Sequence, residues 1–420
     1  MKATMVIENI SKLVTLKGKN KARIKDELKD IGLINKGVIA LDGDRIVYVG
    51  EGTLPPSIEL DEDAIIIDAR GKTVTPGLID SHTHLVHGGS RENELAMKLK
   101  GVPYLDILAT GGGIHSTVKA TREASFDELY TKAIKSLDTM LGYGITTVEA
   151  KSGYGIGDFD TELKQLEIAR KLNEDHPIDI VSTFMAAHAI PEQYKKNSDE
   201  FVDIIIDEMI PEVADKKLAE FCDVFCEEGV FSLEQSRRIL LAARNYGMEA
   251  RIHADEIVAL GGAELAAEIN CISADHLVAA SDEGIRLMAD KGVIANLLPG
   301  TSFNLQTGKF ARARRMVEEG VPIALSTDYN PGSCPTENIQ LIMSFASLIM
   351  KLTPEEVITG VTINGAAALG LEDKVGSLEA GKQGDIVIFD SPNLEYIIYH
   401  YGINHVDKVI KKGELVFSKK

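Results

Sequence analysis

Two histidines one residue apart, His82 and His84, close the β-rich run GLIDSHTH (77–84). In a strand, residues i and i+2 project from the same face, so both imidazoles can share one metal ion. His188, His253, His276, Lys151 and Asp328 stand at the ends of other β-rich runs. Five of the ten histidines therefore end a run that reads as strand, which packing alone does not explain. His253 would supply a third nitrogen and Asp328 an oxygen. Three imidazoles, one carboxylate and an open position describe a catalytic site for zinc or a similar divalent ion. Taken singly, His253 reads as a core histidine and Asp328 as a helix cap; the joint pattern favours metal.

Such residues need a scaffold that brings strand ends together. The runs 77–84, 144–151, 179–188, 221–227, 249–254, 272–277, 293–299 and 322–328 alternate with helical stretches over about 250 residues, the count and span of a (β/α)8 barrel. Active-site residues of such a barrel gather at the C-terminal ends of its strands. A doubly wound open sheet would want a glycine-rich phosphate loop after its first strand. Gly111-Gly112-Gly113 comes too late and lacks the lysine of a P-loop. Both chain ends read as strands: 38–49 carries the hairpin signal Asp42-Gly43-Asp44, and 384–390 and 406–417 are β-rich. The lysine-rich stretch 17–36 reads as an exposed, weakly helical excursion. The predicted fold is α/β, a barrel over 76–372 with a small β-sandwich made of 1–75 and 373–420.

The chain of 420 residues carries a net charge of −19, which argues against broad binding to nucleic acid or anionic membrane. It also means that an anionic substrate must be received by local cations. Cys222, Cys226, Cys271 and Cys334 are too few for a disulfide framework and complete no zinc ligand set, so they read as reduced core thiols. Without a signal-peptide pattern or an 18-residue apolar run, the expected location is the cytoplasm.

PGLIDSHTH (76–84), His253, His276, Asp328 and GSLEAGKQGDIVIFD (376–390) together resemble the amidohydrolase superfamily along essentially the whole chain. Many of its members bind two metals through a lysine on strand four. FCDVFCEEG (221–229) has none, which resembles the one-metal branch of deaminases and cyclic-amide hydrolases. HTHLVHGGSRENEL (82–95), GGGIHST (111–117), KSGYG (151–155), AAHAIP (186–191), CEEGVF (226–231), HADE (253–256), ADHL (274–277) and STDYNPG (326–332) are similar, in order, to imidazolonepropionases. His87 departs from the aromatic residue of many relatives.

The resemblance implies hydrolysis of 4-imidazolone-5-propanoate to N-formimidoyl-L-glutamate in histidine degradation. It implies one metal ion per chain, zinc or iron, on His82, His84, His253 and Asp328, with Asp328 also accepting a proton. His276 would polarise the carbonyl or stabilise the oxyanion, and Glu256 would reach a ring nitrogen or the attacking water. Arg91 would hold the propionate through its fork. Tyr104, Tyr154 and His188 would contact the substrate, and Asn330, Gly332 and Ser333 would bind a carboxylate or amide. Gly111–Gly113 would form a loop near the mouth. A small-molecule substrate and a homodimer are expected. A rival on the same scaffold deaminates a heterocycle, and a rival of another class is a metal-binding scaffold without turnover.

Overall fold

The computed structural model describes residues 2–101 and 112–419. Tyr104 and Gly111 lie outside the described residues. The first strands are β1 (Lys2–Val14), β2 (Leu33–Asp42), β3 (Arg45–Glu51), β4 (Glu59–Asp68) and β5 (Thr73–Pro76). The barrel strands follow: β6 (Leu78–Asp80), β7 (Ile145–Lys151), β8 (Asp179–Ala187), β9 (Phe221–Cys226), β10 (Glu249–Ala254), β11 (Ser273–His276), β12 (Ile294–Leu297) and β13 (Ile323–Leu325). The last are β14 (Ile386–Phe389), β15 (Val406–Lys411) and β16 (Glu414–Ser418).

β6 to β13 form one sheet in strict chain order with parallel neighbours, and helices occupy the connections, as in a (β/α)8 barrel. Each of the eight β-rich runs contains one of these strands. The ladders of β6 and β13 stop earlier than expected, at Asp80 and Leu325, so the His82–His84 pair and Asp328 lie just beyond them. Asp328 has φ +56°, which takes the backbone out of register. Main-chain bonds from Asp328 N to His82 O (3.0 Å) and His84 N to Tyr329 O (2.8 Å) then join the first strand to the last at the mouth.

Local sequence explains the helices. Phe126–Gly142 is capped by Ser125, whose hydroxyl accepts from Glu128 N while the Glu128 side chain accepts from Ser125 N. Its Leu129, Ala133, Leu137, Met140 and Leu141 recur at helical spacing and are buried against the barrel. Ser232 with Gln235 and Thr353 with Glu356 repeat this capping arrangement.

The terminal strands make a second, mixed sheet in the order β16-β15-β14-β5-β1-β2-β3, with β4 also on β1. Gly43-Asp44 turns β2 into β3, with Gly43 at φ +55°. Lys411 Nζ, buried, bonds Asp385 Oδ2 (2.7 Å) and Asp179 Oδ2 (2.8 Å), tying β15 to the first residue of β8. The terminal sheet thus meets this barrel strand at its start, opposite the end that leads to His188.

The stretch 17–36 is the mostly exposed, weakly helical excursion that its lysines suggest. Its only described helical element is one short turn, Lys25–Lys29, and β2 already begins at Leu33. It is anchored rather than free: Leu28 is fully buried, and Arg23 N donates to Asn364 Oδ1 at 2.7 Å. The Arg23 guanidinium also caps the carbonyls of Leu16 and Asp30. All four cysteines are free and buried, and burial pushes the Cys226 thiol up to about 11. No described helix is long and apolar enough to cross a membrane.

Candidate metal centre and active site

The alternation of strand side chains sets out the barrel interior. Along β7, Thr147, Glu149 and Lys151 share a face, and along β10 Arg251 and His253 do; all are buried. Asp223 of β9 and Asp275 of β11 are buried with them.

The sequence-selected ligands converge. His82, His84 and Asp328 place one donor atom each within 4.8 Å of one another, and so do His82, His253 and His276. Asp328 Oδ1 lies 3.4 Å from His82 Nε2 and 3.7 Å from His84 Nε2. The ring centroids of His82 and His253 are 4.6 Å apart. His82 Nε2, His84 Nδ1 and both ring nitrogens of His253 are buried and make no hydrogen bond among the described residues. Each such orphan costs about 1–3 kcal/mol, so the cluster is costly unless something binds its lone pairs. A metal ion fits that demand.

The backs of the rings are held by carboxylates. His82 Nδ1 donates to Asp275 Oδ2 at 2.6 Å, and His253 Nδ1 lies 3.1 Å from Asp223 Oδ2. These contacts favour the proton on Nδ1 and leave Nε2 for a metal. Burial keeps His82 and His84 well below the usual histidine range, so both are neutral donors near pH 7. Asp328 Oδ2 accepts from Thr301 Oγ1 at 2.5 Å, which turns Oδ1 toward the imidazoles. Burial raises the Asp328 carboxyl to about 6, although the Thr301 bond works in the other direction.

The residues expected to handle protons and contact substrate sit beside this cluster. His276 ends β11 with φ +72°, an uncommon conformation for a residue with a side chain, and its ring centroid is 5.1 Å from that of His253. Its Nδ1 lies 3.7 Å from Glu256 Oε1. Burial keeps His276 neutral, while burial and the nearby Asp328 raise Glu256 to about 8. His188 stacks on His84 with centroids 4.9 Å apart. Its Nδ1 donates to the Gly153 carbonyl at 3.0 Å, which leaves Nε2 as the acceptor. Tyr154 is buried beside both, with centroids 5.6 Å from His84 and 5.5 Å from His188. His87 donates from Nδ1 to the His84 carbonyl at 2.8 Å and packs on Tyr329, which braces the loop that carries His84.

The corner around Arg91 is more constrained than the sequence suggests. Arg91 makes a two-bond pair with Glu94, Nε to Oε1 at 3.1 Å and Nη2 to Oε2 at 2.9 Å. Glu94 also accepts from Gly113 N at 2.7 Å. A Cβ placed on Gly332 would meet Arg91 Nη1 at 2.1 Å, so glycine there admits the guanidinium. Asn330 is occupied within its own loop: Oδ1 accepts from Gly332 N (2.8 Å) and Ser333 N (2.7 Å), and Nδ2 donates to Asp328 O (2.7 Å) and Ser333 Oγ (2.8 Å). In this structure these groups shape the loop that seats Arg91 against Gly332.

Sequence reading missed Thr301, Glu94 and the roles of Asp223 and Asp275. The signal for the last two was present, as single acids inside otherwise buried strands (FCDVFC and SADH). Thr301 and Glu94 carried none, because their partners are fixed only by the fold.

The profile of the Amidohydrolase family matches residues 73–416. A protein named imidazolonepropionase from Alkaliphilus metalliredigens (strain QYMF) is 61% identical over 419 residues, covering 100% of this chain and 99% of its own length. One of the same name from Fusobacterium nucleatum subsp. nucleatum is 53% identical over 424 residues, covering 100% of each. Among solved structures, a triazine hydrolase variant superposes with a TM-score of 0.73 at 18% identity, covering 99% of this chain and 95% of that one. An adenosine deaminase from Xanthomonas campestris with bound zinc gives 0.68 at 19%, covering 99% and 93%. At those identities the structural likeness speaks to the fold alone. With profile and full-length relatives in agreement, the chain belongs to the amidohydrolase family, among the imidazolonepropionases.

Proposed function

We propose that the protein hydrolyses the cyclic amide of 4-imidazolone-5-propanoate to N-formimidoyl-L-glutamate in histidine degradation, using one metal ion, zinc or iron, per chain. The carrying observation is the cluster of buried, unpartnered imidazole nitrogens facing Asp328, with an arginine at its rim. His82, His84, His253 and Asp328 would hold the ion. When bound there, it supplies Lewis acidity and a nucleophilic water near neutral pH.

The chain's own groups do the rest. Asp328 takes the proton released by the attacking water, since its second oxygen is already fixed by Thr301. Neutral His276, braced by Glu256, donates a hydrogen bond to the oxygen that becomes negative as the ring carbonyl is attacked. Glu256, protonated near pH 7, contacts a ring nitrogen and can deliver a proton as the ring opens. Tyr154 and His188 border the ring. The Glu94-held Arg91, beside Gly332 and Ser333, receives the propionate. Strand partition between the two sheets supports a division into 76–372 and a composite of 1–75 with 373–420.

The test is a spectrophotometric assay on enzymatically generated imidazolone propionate, with metal counted on the same sample. Turnover with about one equivalent of metal supports the reading. No turnover by metal-loaded protein, or ammonia release from a nitrogen heterocycle instead, overturns it.

A further inference from the structure

Behind the histidines lies a second set of donor atoms. Asp223, His253 and Asp275, all buried, bring one ligating atom each within 4.8 Å of one another. Two carboxylates and an imidazole at that spacing suit a divalent ion. One more buried atom close by, Glu149 Oε2, makes no hydrogen bond among the described residues.

An ammonium stands in this cage. Lys151, at the end of β7, is fully buried, with Nζ 2.7 Å from Asp223 Oδ2, 2.8 Å from Glu149 Oε1 and 3.6 Å from Asp275 Oδ2. The same oxygens face the ligand imidazoles: Asp275 Oδ2 accepts from His82 Nδ1, and Asp223 Oδ2 lies 3.1 Å from His253 Nδ1. Arg251 is the other cation, with Nη2 3.3 Å from Asp275 Oδ2 and Nη1 3.3 Å from Glu149 Oε1. Three carboxylates against Lys151 and Arg251 leave a formal charge of −1. Without Lys151 the charge is −2 and a side chain's worth of space opens, which a divalent ion would cancel and fill.

We propose that Lys151 is a resident cation in the place of a second metal ion. It is a positioning residue: its ammonium holds Asp223 and Asp275 against the backs of His253 and His82, and it closes the inner donor set to divalent ions. The inference rests on the metal site proposed above and adds why that centre takes one ion.

The test compares wild type, Lys151→Ala and Lys151→Arg after equilibration with chelator-buffered zinc. Metal per chain is counted by elemental analysis and folding is followed by circular dichroism. Wild type and Lys151→Arg should each hold about one zinc. Lys151→Ala, which removes both the charge and the bulk of the side chain, should hold about two, and adding Asp223→Asn should return it to one. If Lys151→Ala is unstable without metal, excess zinc should restore its fold and raise its Tm. A folded Lys151→Ala protein with one zinc at saturation overturns the proposal. So does a Lys151→Ala protein that zinc fails to rescue. Wild type with no bound metal would instead sink the reading of the outer site.

Discussion

At the outer edge of the barrel interior, His82, His84 and His253 hold ring nitrogens with no hydrogen-bond partner. Behind them, Lys151 and Arg251 are met by Glu149, Asp223 and Asp275. Both regions are buried and polar, and they differ in how the cost of burial is met. The inner layer offsets it with fixed counter-charges, which suits a rigid support. The outer layer leaves lone pairs unanswered, which suits a ligand that arrives later. Unpaired buried imidazoles thus mark a binding site and charge-paired groups a frame, although Glu149 Oε2 and Arg251 Nε within that frame make no hydrogen bond among the described residues.

Emptying the outer layer should have the largest effect. His82→Ala or His253→Ala should lose both bound metal and turnover, measured by elemental analysis and assay, because the remaining ligands hold an ion poorly. His276→Ala probes the same layer without touching a proposed ligand. Metal content should stay and kcat should fall roughly 10²–10⁴-fold. Near-normal kcat with metal retained would reduce His276 to a structural residue.

Effects at the rim should be smaller. Arg91→Ala should raise KM about 10- to 150-fold, the worth of a charge-assisted bond of roughly 1.5–3 kcal/mol, with metal unchanged. Arg91→Lys should recover part of that, since an ammonium cannot keep both bonds to Glu94. Thr301→Val removes the bond that orients Asp328 and should speed metal loss to a chelator by about 10-fold, in line with a hydrogen bond to a charged group.

The smallest expected effect is on stability. Glu256 in the folded protein keeps its proton up to about 8, whereas the unfolded chain releases it near 4.5. The folded state therefore binds more protons between those values, and this group's contribution to stability falls as pH rises through the window. Above pH 6.5 His82, His84 and His276, held low by burial, are neutral in both states and add little, whereas His253, which burial lowers but Asp223 raises overall, adds to the same fall. Metal-free protein should lose Tm from pH 6.5 to 8, and Glu256→Gln should flatten the slope. An unchanged slope in that variant would place the titration elsewhere.

The barrel and the gathering of the candidate ligands were legible because both rest on local rules. Strand period places His82 with His84, and run-ending positions mark His188, His253 and His276. The pairings behind them were not legible, because they join distant residues: Lys151 with Asp223, His82 with Asp275, Thr301 with Asp328. The stretch 17–36 was read correctly as mostly exposed, but its anchor was hidden for the same reason. Its lysines suggest exposure, and the Asn364 that anchors Arg23 lies far along the chain. Asn330 matched a motif, but only the fold shows its amide filling its own loop.

In the proposed centre the outer layer, and not the inner one, takes the metal. Anomalous diffraction from wild-type crystals equilibrated with zinc tests it most directly. A single peak per chain, bounded by His82, His84, His253 and Asp328, is the expected result. A peak among Glu149, Asp223 and Asp275, or none at the histidines, would contradict it.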